Sequence, residues 1–349
     1  MHNSEIIDDA KQALAAFQTR GPFQISRITT GLINQTFRAD GVAGSYILQR
    51  LHPIFAPAVN QDIEAVTLVL QKKNILTPSL VKTDQGDLWV MINEHCWRMQ
   101  TYIEGQTFDQ VKNPQMAHGV GQLVGKFHEA LEEFSYQYSF ARSGVHDTPH
   151  FLKRLELLLS SDHHQHAHYD AFSKLAEKLL KAGETLPKMT ELLKRHSHGD
   201  LKISNVLFND EVQPLCLLDL DTLGQMPWPI EMGDAFRSWC NPHGEDAQII
   251  FFSEDIFAAG LKGYAEVAGH LWTAEEKEML LVGMKTIPLE LSTRFLIDVL
   301  EDKYWGWDPS RFAFRADHNL MRASGQWELY LDIAKKSAEL SQLIHKAFA

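Results

Sequence analysis

Within the stretch His198-Gly199-Asp200-Leu201-Lys202-Ile203-Ser204-Asn205 the chain brings together an acid, a cation and an amide, and two more carboxylates, Asp219 and Asp221, follow the apolar run Leu215-Cys216-Leu217-Leu218. These are the groups that phosphoryl transfer asks of a protein. Asp200 can accept the proton of a hydroxyl, while Asn205 and Asp219 offer oxygens to a hard cation such as Mg²⁺, which is commonly held by one or two carboxylates together with substrate phosphates. His198 and Lys202 complete the candidate catalytic group. An isolated His-x-Asp pair is most often a surface turn; the spaced asparagine and the aspartate beyond a strand give this pattern its specificity.

To bring both ends of that pattern together the chain must turn at Asn209-Asp210, and the runs 205–208 and 215–220 predict a small β-hairpin inside a helical region. Ahead of it, Ile6, Ala10, Leu14 and Phe17 predict an amphipathic helix from Glu5 to Phe17. The short runs 23–28, 35–39 and 45–51, broken at Thr29-Thr30-Gly31 and Asp40-Gly41, predict an antiparallel meander. A helix over 60–72 and strands over 88–93 and 97–103 follow, so the first hundred residues read β-β-β-α-β-β. After Glu104-Gly105 the periodicity turns helical. Val120, Leu123, Val124, Phe127 and Leu131 form one stripe behind Asn113-Pro114, Thr273-x-x-Glu276 reads as a capping box, and 333–348 reads as a terminal helix. The expectation is an α+β chain with a small antiparallel β-rich lobe over 1–103, a short hinge, and a larger, mainly helical lobe over 104–349.

The composition narrows the function. With 349 residues, 44% apolar side chains and 22% charge, the chain is long enough for two lobes and a cleft, and disorder is excluded. Thirty-three Lys and Arg against 45 Asp and Glu give a formal charge of −12, which opposes binding to nucleic acid or an anionic membrane. The three cysteines, Cys96, Cys216 and Cys240, support neither a disulfide framework nor a zinc ribbon. The N-terminal residues lack a basic start and an apolar stretch, and there is no apolar run of transmembrane length, so a cytoplasmic location is expected.

The run from His198 to Asn205, followed by Asp219, resembles the H-x-D-x-x-x-x-N catalytic loop and metal-binding aspartate of the aminoglycoside phosphotransferase and choline kinase superfamily. That resemblance implies a two-lobed protein-kinase-like fold and the cofactors ATP and Mg²⁺. It also implies that Asp200 orients or deprotonates the acceptor hydroxyl, that Asn205 and Asp219 hold metal, and that Asp221 is a second metal carboxylate. The segment from Ile230 to Arg237 is similar to the segment that follows the metal site in that superfamily, where an aspartate, here Asp234, braces the catalytic loop.

On this reading the turn at 29–37 cradles phosphate through the backbone of Gly31, Leu32, Ile33 and Asn34. A cation on the third strand should meet the phosphates and a helix carboxylate, and Arg50 and Glu64 are the candidates. Strand alternation puts Gln49 and Arg50 on opposite faces, so either can fill the slot; if Gln49 does, Lys202 is a candidate anchor instead. Adenine would meet the hinge backbone around Gln100 and Tyr102.

Towards the C-terminus, Tyr46 to Leu51, Leu218 to Thr222 and, above all, Arg294-Phe295-Leu296-Ile297-Asp298 through Tyr304 to His318-Asn319 and Arg322 are similar to the N-acetylhexosamine 1-kinase branch. This implies a small-molecule hydroxyl acceptor, a sugar, with Arg294, Asp298, Tyr304, His318 and Arg322 as candidate contacts. Arg294 and Asp298 are also spaced for an intrahelical ion pair, and Tyr304, Trp305 and Trp307 suit core packing as well as sugar stacking. Kinases of an amino alcohol, homoserine or an aminoglycoside, and a catalytically silent nucleotide-binding protein, stay open. The histidine-rich stretch 163–168 lacks partners for a metal site, His128-Glu129 lacks the second histidine of a zinc protease, and no Gly-x-Ser-x-Gly elbow occurs.

Overall fold

The computed structural model describes all residues except 1, 20, 29–32, 43, 141–143, 190 and 248. The chain forms two compact units. One comprises Met1–Gly105, Glu133–Arg142 and Cys216–Leu223; the other comprises Gln106–Glu132, Ser143–Leu215 and Gly224–Ala349.

In the first unit, α1 (His2–Leu14) precedes β1 (Phe23–Ile28), β2 (Gln35–Gly41), β3 (Gly44–Arg50), α2 (Val59–Lys72), β4 (Val90–Ile92) and β5 (His95–Thr101). The five strands form one antiparallel sheet in the order β1-β2-β3-β5-β4. Register assigns every side chain to a face, because successive residues of a strand point to opposite sides. Phe37 pairs with Leu48 and Leu48 with Met99, so these three share a face, which with Ala39 and Trp97 buries against Ile6, Ala10, Ala13 and Leu14 of α1. Thr36, Gln49 and Arg98 form the adjacent row and point the other way. The helix α1 stops at Leu14, three residues short of the predicted end. Phe17 instead bridges to Thr83 and turns into the core at 1% exposure. From α2, the buried Asp62 accepts the Tyr136 hydroxyl (2.8 Å) and the Ser139 and Phe140 N–H groups (2.7 and 2.9 Å), which holds residues 136–140 in this unit.

The second unit contains α3 (Pro114–Leu131), α4 (Thr148–Leu159), α5 (Tyr169–Thr185), β6 (Arg195–Ser197), β7 (Val206–Phe208), β8 (Pro214–Leu217, whose end passes into the first unit), β9 (Gly224–Met226), α6 (Trp228–Trp239), α7 (Glu254–Ala268), α8 (Ala274–Glu301), α9 (Arg315–Lys335) and α10 (Ser337–Ala347). β6 pairs with β9, and β7 with β8 as the predicted hairpin. Asn113 caps α3 by accepting the Met116 N–H, and Thr273 with Glu276 forms the capping box that opens α8. The predicted terminal helix is two helices. Lys336 sits at the junction, its ammonium donating to the Phe252 carbonyl (2.7 Å) and to Asp332 (2.9 Å).

Helix α8 runs through the core of this unit, packing against α4, α5, α6 and α9. Its crossing with α6 depends on missing side chains: a Cβ on Gly233 would lie 2.5 Å from the Gly283 carbonyl oxygen, and one on Gly283 would strike the Pro229 carbonyl. Backbone atoms cannot swing aside as a side chain tip does. Gly283→Ala is therefore expected to destabilise the protein by roughly 1–3 kcal/mol despite the better helix propensity of alanine, as read from the shift in the urea midpoint. The three cysteines are unpaired and buried. Among the described residues no helix is long and apolar enough to cross a membrane.

Candidate active site

The loop from His198 to Asn205 is held by one face of α6. Glu231, 1% exposed, accepts the His198 N–H at 2.7 Å and the Gly199 N–H at 3.0 Å. One turn pairs both carboxylate oxygens with backbone, and Gly199 makes that turn possible at φ +83°. Further along the helix, the Ser238 hydroxyl accepts the Ile203 N–H (3.0 Å) and the Trp239 indole donates to the Leu201 carbonyl (2.8 Å). Burial opposes the charge on Glu231. His128, whose Nε2 lies 3.5 Å away, and the His198 N–H outweigh it and keep the carboxyl below the usual glutamate range. The bracing residue is therefore Glu231 rather than Asp234, which is bound instead to Arg237 (2.9 Å).

Within the loop, Asp200 is part-exposed and the Lys202 ammonium lies 2.5 Å from its Oδ2. Burial pushes the Asp200 pKa up. Lys202 outweighs that and, with His198 and Arg237, holds the carboxyl below the ordinary aspartate range. Asp200 is thus an anion at neutral pH and a weak base, suited to orienting a hydroxyl and taking its proton late in a loose transition state. The Asn205 side-chain N–H donates to the Asp200 carbonyl oxygen (2.9 Å), which fixes the amide and distinguishes its donor end from its acceptor Oδ1. His198 has a different place from the one expected. Its side chain is fully buried and its Nδ1 accepts the Asp200 N–H (3.3 Å), so it is a positioning residue of the turn.

In the first unit, Asp219 follows β8 with φ +59°, a left-handed conformation that aspartate tolerates better than most residues. Two residues on, Asp221 is committed elsewhere. Its carboxylate forms a bidentate ion pair with Arg98, through Nη1 to Oδ1 and Nη2 to Oδ2 (2.9 Å), and its Oδ2 also accepts from Asn34 (2.6 Å). With both oxygens occupied and 1% exposure, Asp221 does not fit the role of metal ligand. Arg98 is the residue that sequence reasoning missed. It stands across from Gln49 in the β3–β5 ladder, and its Nε donates to the Gln49 carbonyl oxygen (2.9 Å). The available signal was register alone.

Arg50 lies on the opposite face, where it meets His95, and Glu64 pairs with Lys82 (3.5 Å), so the expected Arg50–Glu64 partnership is not formed. Gly31 and Leu32 lie outside the described residues; Ile33 is exposed, and Asn34 accepts the His52 N–H (2.9 Å). Gln100 is buried on the Arg98 face, and the Tyr102 ring stacks under the Arg38 guanidinium, 4.2 Å from its centroid.

Most of the expected acceptor contacts are structural. Asp298 accepts the Lys303, Tyr304 and Trp305 N–H groups (3.0, 2.9 and 2.8 Å) and the Asn319 amide (2.9 Å), which closes the turn after α8. His318 and Arg322 both hold Asp246, at 3.1 and 2.5 Å. Tyr304 is half-exposed and packs edge-on against Trp305, which itself packs into the helical core. Arg294 faces Glu290 (3.6 Å), not Asp298, and lies over Phe151 and Trp305.

Among the described residues no three His, Cys, Asp or Glu side chains group into a metal site of their own. Asn205 in the second unit and Asp219 in the first each carry a hard oxygen donor of the kind that Mg²⁺ takes.

None of the curated proteins matches the chain in sequence. Similar solved structures include an aminoglycoside phosphotransferase from Alicyclobacillus acidocaldarius (TM-score 0.63, 15% identity, 96% of each chain covered). They also include the amicoumacin kinase hAmiN in complex with AMP-PNP, Ca²⁺ and Ami (TM-score 0.62, 13% identity, 93% of this chain and 96% of that one). A third is a choline/ethanolamine kinase family protein from Mesorhizobium loti (TM-score 0.58, 17% identity, 98% and 100% covered). These likenesses carry the two-lobed kinase-like α+β fold. A sequence-family model described as the phosphotransferase enzyme family matches residues 24–270, well over half of the chain, around the loop that α6 braces, and the chain belongs to that family.

Proposed function

We propose that the protein transfers the γ-phosphoryl group of ATP to a hydroxyl of a small acceptor, and that this acceptor is a sugar, an N-acetylhexosamine taken at its anomeric hydroxyl. The observation that carries the reading is the braced loop, in which an ionised Asp200, its partner Lys202 and an oriented Asn205 are fixed together by α6. Asp200 holds the acceptor oxygen and takes its proton as the new O–P bond forms and the bond to the β-phosphate oxygen breaks, leaving ADP. Magnesium, when bound, offsets charge on the phosphates. Asn205 and Asp219 would hold it, and Lys202 would lie near the phosphates. Support for the sugar comes from the segments 46–51 and 294–322, which resemble the N-acetylhexosamine 1-kinase branch, and the cytoplasm is where such a substrate and ATP meet.

The test is ADP release with Mg-ATP and a panel of N-acetylhexosamines, hexoses, ethanolamine, homoserine and an aminoglycoside. Turnover with an N-acetylhexosamine is expected, and turnover confined to the amino compounds would refute the sugar. In the same assay Asp219→Ala should raise the KM for Mg-ATP about 10- to 100-fold, as loss of a metal partner does.

A further inference from the structure

A group of buried polar atoms in the second unit has no partner. Glu290 on α8 is 1% exposed; its Oε2 accepts the Thr148 hydroxyl at 2.6 Å, but its Oε1 makes no hydrogen bond. The polar neighbours of that oxygen, His146 Nδ1 at 3.8 Å and Arg294 Nη1 at 3.6 Å, lie beyond hydrogen-bond reach. Both ring nitrogens of His146 are buried and unpaired, as are Asp234 Oδ2 and Arg237 Nε. Asp234 is bonded to Arg237 on α6, and α6 packs against α8, which carries Glu290. Protein interiors pair nearly all such atoms with protein or water, so a cluster that lacks protein partners calls for a partner from outside the chain.

We propose that Glu290, His146 and Asp234 form the recognition site for a neutral, polyhydroxylated acceptor whose hydroxyl groups pair these orphaned atoms; the assignment rests on the kinase reading above and names its substrate class. Carboxylate oxygens accept, the Arg237 Nε donates, and an imidazole does one of each. A row of sugar hydroxyls, each able to donate and to accept, matches that mixture. An ammonium group matches it poorly. Every carboxylate here already faces a cation: Asp200 has Lys202, Asp234 and Glu245 share Arg237, and Glu290 has Arg294. Arg294 is held over the Phe151 and Trp305 rings at 5.0 and 5.2 Å, which keeps its charge beside Glu290.

The experiment measures binding without nucleotide, by calorimetry, for neutral hexoses, N-acetylhexosamines and ethanolamine, on the wild type and on Glu290→Gln and His146→Gln, with urea unfolding to confirm that each variant is folded. Acceptor KM and ATP KM from ADP release accompany it. A neutral sugar should bind the wild type, and each folded variant should lose about 10- to 100-fold in sugar affinity and acceptor KM, with ATP KM held within about twofold, as removal of a charge-assisted hydrogen bond predicts. Should Glu290→Gln fail to fold, the His146 variant carries the test. Unchanged sugar affinity in the folded variants overturns the site, as does binding of ethanolamine with no binding of any sugar. If the wild type binds a sugar, the variants lose it, and no acceptor yields ADP, the site stands and phosphoryl transfer falls.

Discussion

Asp200→Asn is expected to lower kcat by a factor on the order of 10² to 10⁴ while leaving the affinity for nucleotide close to that of the wild type. The substitution keeps shape and one hydrogen-bond acceptor and removes the charge that receives the acceptor proton. It also removes the anion that Lys202 faces at 2.5 Å, so that ion pair is lost. The loop itself should hold, because its backbone hangs on Glu231, Ser238 and Trp239 rather than on the Asp200 side chain. Steady-state ADP release with a matched titration of an ATP analogue separates the two effects. Wild-type turnover in the variant would remove Asp200 from the chemistry. Weakened nucleotide binding alone would make it a phosphate-side residue.

Arg98→Met should produce the largest loss of stability of any single change considered, about 3–5 kcal/mol, read as a fall in the urea midpoint. Arg98 and Asp221 are each 1% exposed, and removing the guanidinium strands a carboxylate in a medium that cannot solvate it. The damage should extend to function. Asp221 ties Asn34 to the segment that carries Asp219, so the KM for Mg-ATP should rise as well. Arg50→Ala provides the contrast, since Arg50 lies on the far face of the sheet; its effect on that KM should be negligible. Equal effects for the two arginines would show that register does not select the functional face.

These outcomes depend on what one-dimensional pattern can and cannot carry. The loop from His198 to Asn205 was legible because its residue types sit close together in the chain, and the capping box of α8 and the Asn113 cap were legible because a cap is a local device. The sheet meander followed from alternation and turns. Pairings between distant residues were not legible. Asp221 reads as a metal carboxylate until its partner, 123 residues away, is known. Arg50 reads as the anchoring cation until the ladder shows that Gln49 and Arg98 share the other face. Asp298, His318 and Arg322 have the chemistry of sugar contacts, but each had already met a backbone or side-chain partner that no spacing rule announces. The brace was visible as a segment, yet choosing Glu231 over Asp234 needed the helical phase of α6 against the loop.

The composition of the first unit bears on how the protein is made. Arg98 cannot find its carboxylate until residue 221 has left the ribosome, 123 residues later, which at ~5–20 residues per second is a delay of roughly 6–25 s. Asp62 waits similarly for Tyr136, Ser139 and Phe140. During synthesis the nascent sheet therefore carries an unmatched guanidinium on one face, and a fragment released near residue 105 would keep it.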